Sequence, residues 1–307
     1  MTTYILRRVL WLIPVLFVIS VITFLLMHAA PGTPFQPRSD RPLPPAILER
    51  LERQFGLDKP IHEQYLSWVA NFVQGDLGPS YANRGRDVSE IVGDNMWNSV
   101  QLGGMAFLFS VVLGIPLGVI AALRQNKWPD YFSTFFSVIG IATPSFVLAV
   151  LLVFAFSLTL DWFPTRGWSG PEYWVLPVVA LGSYGVAQLA RYTRASMLEV
   201  TRRDYVRTAQ SKGLKERTIV VVHMLRNAFI PIVTILGPLL AGLITGSFVV
   251  ESIYGIPGIG RFFIDAIGRR DYGLIMAVTM LYATLIAVMN LVVDVAYAWI
   301  DPRIRYS

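Results

Sequence analysis

The run at 99–123, "SVQLGGMAFLFSVVLGIPLGVIAAL", is uncharged from end to end. As a helix it exceeds the roughly 30 Å hydrocarbon core of a bilayer at about 1.5 Å per residue. It has no charged face to turn toward water, so lipid is the solvent such a helix suits. Similar runs lie at 9–29, 132–160, 173–190, 228–250 and 276–299, and Asp294 in the last is their sole Asp, Glu, Lys or Arg. The expected fold is an all-α integral membrane protein of six transmembrane helices.

Composition agrees. The 307 residues are 54% hydrophobic and 15% charged, against about 25% charged for an ordinary soluble domain. A net charge of +6 in a chain with no basic soluble domain records topology rather than nucleic-acid binding. Cysteine is absent, which excludes disulfides and thiolate metal sites. The first run follows Arg7 and Arg8 as a signal peptide would. Its length instead marks an uncleaved span, since a signal core is about 7–15 residues.

Lys and Arg counts orient the chain. The N-terminus, 124–131, 191–227 and the C-terminal tail together carry fifteen, whereas 161–172 and 251–275 carry four. The segment 30–98 exceeds the length over which loop charge is informative. Both termini are therefore expected in the cytoplasm. The outer segment contains "PPAILERLERQF" and "PIHEQYLSWVANFVQG", apolar at helical spacing behind prolines, which predicts short amphipathic helices. A second outer segment should turn at "GIPGIG" and continue as a helix over 260–270. "GIPGIG" is no phosphate loop, because no Lys followed by Ser or Thr ends it.

The longest cytoplasmic loop reads "TRRDYVRTAQSKGLKERTIVVVHMLRNA". Nothing breaks a helix from Arg202 to Lys212, and Gly213 is placed for the left-handed conformation that ends one. A topology signal needs only scattered basic residues, not a glycine-terminated helix. This segment resembles the cytoplasmic "EAA" loop of permease subunits in binding-protein-dependent ABC importers. Arg207, Thr208, Ala209 and Gly213 stand at that pattern's Glu, Ala, Ala and Gly. The whole chain resembles the dipeptide/oligopeptide permease family, through "FGLDKPIHEQY", "GDLGPS", "IATPSF", "VVESIYGIPGIGRFFIDAI" and the terminal "DPR". Thr33 departs from that branch, which often has Asp there.

The resemblance implies an N-in/C-in permease with a long helical extracytoplasmic segment between helices 1 and 2. Its parts are the N-terminus and first helix (1–30), the outer segment (31–98), a five-helix core (99–300) with coupling loop 191–227, and a tail (301–307). It implies a second homologous permease, two ATPase subunits, an extracytoplasmic substrate-binding protein and surrounding membrane lipid as partners, in a bacterial or archaeal cytoplasmic membrane. The chain itself is expected to be non-catalytic and to bind no cofactor. It has no GxxxxGK[ST] sequence, so ATP and Mg would belong to the ATPases. Asp204, Tyr205, Arg207, Thr208, Ala209, Lys212, Gly213 and Leu214 would form the coupling loop, with Ala209 small enough for the ATPase to approach closely. Thr143, Pro144, Ser145, Ser247, Glu251 and Asn290 are candidates for the pathway or a gate, with Pro144 and the pair Gly237–Pro238 as candidate kinks. A secondary transporter is disfavoured by uncharged spans, and a channel by the lack of a filter sequence. Peptides are the leading substrate, with nickel complexes and oligosaccharides as alternatives.

Overall fold

The computed structural model describes residues 2–30, 32, 34–35, 44–83, 85–245 and 248–300. Ser247, Thr33, the tail 301–307 and the side chain of Asp294 lie outside what it describes. Among the described residues the regular structure is helical, with one isolated antiparallel bridge between Pro79 and Asp87.

The chain opens with α1 (Thr2–Ala29), then two short amphipathic helices, α2 (Pro45–Gln54) and α3 (Ile61–Val73). Prolines at 44, 45 and 60 mark their starts, where a missing N–H costs nothing. Next come α4 (Val88–Leu123), α5 (Trp128–Ala142), α6 (Ser145–Leu152) with a π-helical continuation Val153–Thr159, and α7 (Pro171–Thr201). After α8 (Asp204–Ser211) the chain climbs through α9 (Glu216–Thr218) and a π-helical stretch Ile219–Leu225 into α10 (Arg226–Thr245). It finishes with α11 (Phe248–Tyr254), α12 (Ile259–Arg269) and α13 (Tyr272–Ile300).

Among the described residues, four unbroken helices are long and apolar enough to cross a membrane, within α1, α4, α7 and α13. The other two expected spans are bent pairs. The run 132–160 breaks between α5 and α6 with a bend of 104°. Pro144 has no N–H to donate back and forces Thr143 out of the helical region, to φ −88°, ψ 117°. The stretch expected as the fifth span bends by 59° between Glu216–Phe229 and Pro231–Thr245, so Pro231 marks the bend rather than Gly237–Pro238. Helix α10 continues through Gly237, where α13 comes close: a β-carbon would overlap Val293. Uncharged composition does not register where a backbone breaks.

Helices α4 and α7 form the central contact, through small residues. A β-carbon on Gly114 would lie 2.7 Å from Leu189 Cβ, and one on Gly118 2.5 Å from the Ala190 carbonyl oxygen. Ser110 donates its hydroxyl to the Gly182 carbonyl at 2.9 Å. Such packing substitutes for the hydrophobic drive that is missing between helices in lipid. The face of α1 bearing Leu10, Trp11 and Ile13 stays exposed, as does Phe132–Phe135–Phe136 on α5.

At one end of the bundle α3 packs on α1 through Tyr65, Phe24 and Trp68. The turn before α4 is fastened there by Asp271, which is fully enclosed. Its carboxylate accepts the Ser80 hydroxyl and the backbone N–H groups of Tyr81 (3.0 Å) and Ala82 (3.2 Å). Burial, reinforced by the Asp271 charge, pushes the Tyr81 hydroxyl up to about 12. The opposite end carries α8.

Candidate functional site

Two features lie along α7. The first is α8, which leaves α7 after a two-residue turn. Its inner face is Val206 and Ala209, both buried with Met197, Val200, Ile219 and Met224. The opposite face is exposed and polar: Asp204, Tyr205, Arg207, Thr208, Ser211 and Lys212. Thr208 hydrogen-bonds the Asp204 carbonyl at 3.0 Å, and Arg207 reaches Asp204 at 3.9 Å. Partial burial holds the Tyr205 hydroxyl above its ordinary range, offset in part by the Arg203 charge and a hydrogen bond with Asn227.

Gly213 ends α8 in the left-handed conformation, at φ +71°. Its N–H donates to the Gln210 carbonyl at 2.9 Å, and the Leu214 N–H to the Ala209 carbonyl at 3.4 Å. This is the Schellman arrangement, which satisfies carbonyls the helix leaves free. Leu214 beyond it is exposed. Ala209 requires a correction: its side chain turns toward the bundle, so its small size allows α8 to approach its own helices, not an outside partner.

The second feature is a groove of about 680 Å³ between the α5–α6 break, α7 and α10. Thr143, Pro144 and Ser145 line it on one side, Tyr184 and Gln188 on another, Thr234 and Pro238 on the third. Among the described residues, none that lines it is charged. The break at Pro144 thus places Thr143 and Ser145 beside Tyr184 and Gln188, which the sequence reading did not single out.

The other described pathway candidates, Glu251 and Asn290, lie elsewhere. Glu251 on α11 is fully enclosed and accepts hydrogen bonds from Ser99 Oγ (2.7 Å) and the Arg261 N–H (3.2 Å). Ser99 Oγ in turn accepts the Ile259 N–H at 2.9 Å. Together they supply acceptors to the first turn of α12, a structural role that fastens α12 to α4 and α11. Asn290 lines a cleft of about 290 Å³ between α1 and α13, with Arg8. Sequence reasoning also missed the ion pair of Asp130 on α5 with Arg194 on α7. Both residues fall outside the uncharged runs, and sixty-four positions separate them.

Comparison with known proteins places this geometry. Residues 114–306 match the family described as binding-protein-dependent transport system inner membrane component, and residues 1–94 match the N-terminal region of the same systems' membrane components. The oligopeptide transport system permease protein OppB of Salmonella typhimurium is 44% identical over 308 residues, covering 100% of both chains. The dipeptide transport system permease protein DppB of Bacillus subtilis is 40% identical, over 99% of this chain and 98% of that one. The glutathione transport system permease protein GsiC of Escherichia coli is 40% identical over 100% of both. In fold, the chain is similar to an inward-facing structure of the MetNI methionine ABC transporter, with a TM-score of 0.56 at 15% identity over 69% of this chain and 97% of that one. With full-length relatives at this identity and both family regions matched, the chain belongs to the binding-protein-dependent transport system inner membrane components, a family of multi-pass membrane proteins.

Proposed function

We propose that this chain is one membrane half of an ATP-driven peptide importer and couples to separate ATPase subunits through α8. One observation carries the reading: the continuous helix α7 lines a groove with Tyr184 and Gln188 and leads, through a two-residue turn, into the capped α8 with its exposed polar face. The basic loop containing α8 faces the cytoplasm, with both termini on that side, and α2, α3 and α12 lie at the outer surface. Closure of an ATPase pair pushes on the exposed face of α8. Because Val206 and Ala209 are buried against the bundle, that push tilts α7 and α10 as packed bodies instead of bending a loop.

The groove is open on one side, where Pro144, Tyr184 and Pro238 are exposed. A second, homologous permease closes it, and an extracytoplasmic binding protein delivers the substrate. The chain hydrolyses nothing itself; its ATPase partners hold ATP and Mg. Relatives named for oligopeptide, dipeptide and glutathione transport support peptides over nickel complexes or oligosaccharides. Hydroxyl and amide groups among apolar walls suit peptide backbones of varied side chain, leaving selection to the binding protein. The test is uptake of a labelled peptide mixture by proteoliposomes holding both permeases, the ATPases and the loaded binding protein. Uptake that requires ATP supports the reading; uptake driven by an ion gradient alone refutes it.

A further inference from the structure

Helix α5 meets α7 near the bend and again at its far end, with a cavity between. Near the bend, a β-carbon on Gly140 would stand 2.8 Å from Ala187 Cβ and 3.2 Å from the Ser183 carbonyl oxygen, so the two helices are in close contact. At the first turn of α5, Asp130 is 3% exposed. It accepts hydrogen bonds from both Nε and Nη2 of Arg194, the latter at 2.8 Å, and a third from the Asn126 N–H at 2.9 Å. Between the two contacts lies a cavity of about 430 Å³, lined by Ser133, Ser137, Ala190 and Arg194 among others. Arg194 stands seven positions before the end of α7 from which α8 leaves, and α5 ends at Thr143 on the groove.

We propose that the Asp130–Arg194 pair is a tie between the coupling end of α7 and the groove-lining end of α5, making α5 a lever that pivots at Gly140. This rests on the importer reading above. The arm from Gly140 to Asp130 is about 15 Å and that from Gly140 to Thr143 about 4.5 Å at the helical rise. When α7 tilts about its contact with Gly140, the tie turns α5 with it, so a displacement at Arg194 reaches Thr143 at about a third of its size and in the opposite direction. The break at Pro144 lets that end move without dragging α6. Without the pair, α7 still responds to the ATPases through α8 but α5 is left behind. Asp130 and Arg194 are thus positioning residues, touching neither substrate nor nucleotide.

The test is the number of ATP molecules hydrolysed per peptide imported, measured in proteoliposomes holding the complete transporter. Asp130→Asn should raise this ratio at least about fivefold, the lower end of a typical coupling effect, with ATPase assembly retained. The chain has no cysteine, so Asp130→Cys with Arg194→Cys in a cysteine-free complex allows the tie to be rebuilt by a short bis-thiosulfonate reagent. The unbridged protein should be uncoupled, and bridging the same sample should lower the ratio toward wild type. An unchanged ratio in Asp130→Asn, or no difference between bridged and unbridged protein, overturns the proposal. Failure of both variants to assemble assigns the pair to folding and equally overturns it. Absence of ATP-dependent uptake by the wild type would instead remove the importer reading itself.

Discussion

Replacing Gly213 by valine isolates the turn that ends α8. At φ +71° a β-carbon would meet no heavy atom within 4 Å, so the penalty is one of backbone conformation alone. The left-handed region costs an L-residue about 1–2 kcal/mol; valine's stiff, branched side chain suits it poorly, whereas asparagine tolerates it. Two capping hydrogen bonds oppose that cost, each worth about 0.5–1.5 kcal/mol net. The opposing quantities are comparable. Valine should therefore reduce the population ratio of the native turn by a factor of about 5–30. Neither substitution alters charge, so a purely topological or lipid-binding role for the loop predicts no effect. The coupling account predicts that Gly213→Val reaches the membrane at wild-type level yet loses most substrate-stimulated ATP hydrolysis and uptake in proteoliposomes, with Gly213→Asn between it and wild type. Wild-type coupling in Gly213→Val refutes the reasoning.

Topology is open to thiol labelling in this cysteine-free chain. Cysteine at exposed His62 on α3 should react with an impermeant reagent on intact spheroplasts and cysteine at Ser211 should not; the reverse pattern overturns the charge-based orientation. Asp271→Ala leaves the Ser80 hydroxyl and two backbone N–H groups without their acceptor, a loss of about 1–3 kcal/mol for each group left unsatisfied. Hydrogen exchange should accelerate in the turn 79–83 and stay unchanged at α8; slow exchange in that turn would show that other contacts hold it.

Much of the architecture is written in hydropathy, because only long uncharged runs suit lipid. The runs at 9–29, 99–123, 173–190 and 276–299 each lie within one unbroken helix. What hydropathy could not show is local backbone geometry. It hid the full 104° break at Thr143–Pro144 and displaced the fifth span's bend from Pro231 to Gly237–Pro238. Helix α4 begins at Val88, well before its apolar run, because Asp87 and Glu90 suit the start of a helix outside lipid. Gly213 was legible since its conformation is a local property of the chain. The inward direction of Ala209 was not, because it depends on Met197 and Met224 arriving from α7 and the π-helical stretch. Glu251 illustrates the same limit: a lone carboxylate after an apolar run resembles a gate until Ser99, about 150 positions away, is seen to donate to it.

The central claim is that the exposed face of α8 bears on an ATPase while its inner face holds the bundle. Single cysteines placed in turn from Tyr205 to Lys212, each carrying a short photo-crosslinker, measure this directly in the assembled complex. The account predicts crosslinks to the ATPase from Tyr205, Thr208, Ser211 and Lys212, and none from Val206 or Ala209. ATPase crosslinks from Val206 and Ala209, or from no position on α8, would contradict it.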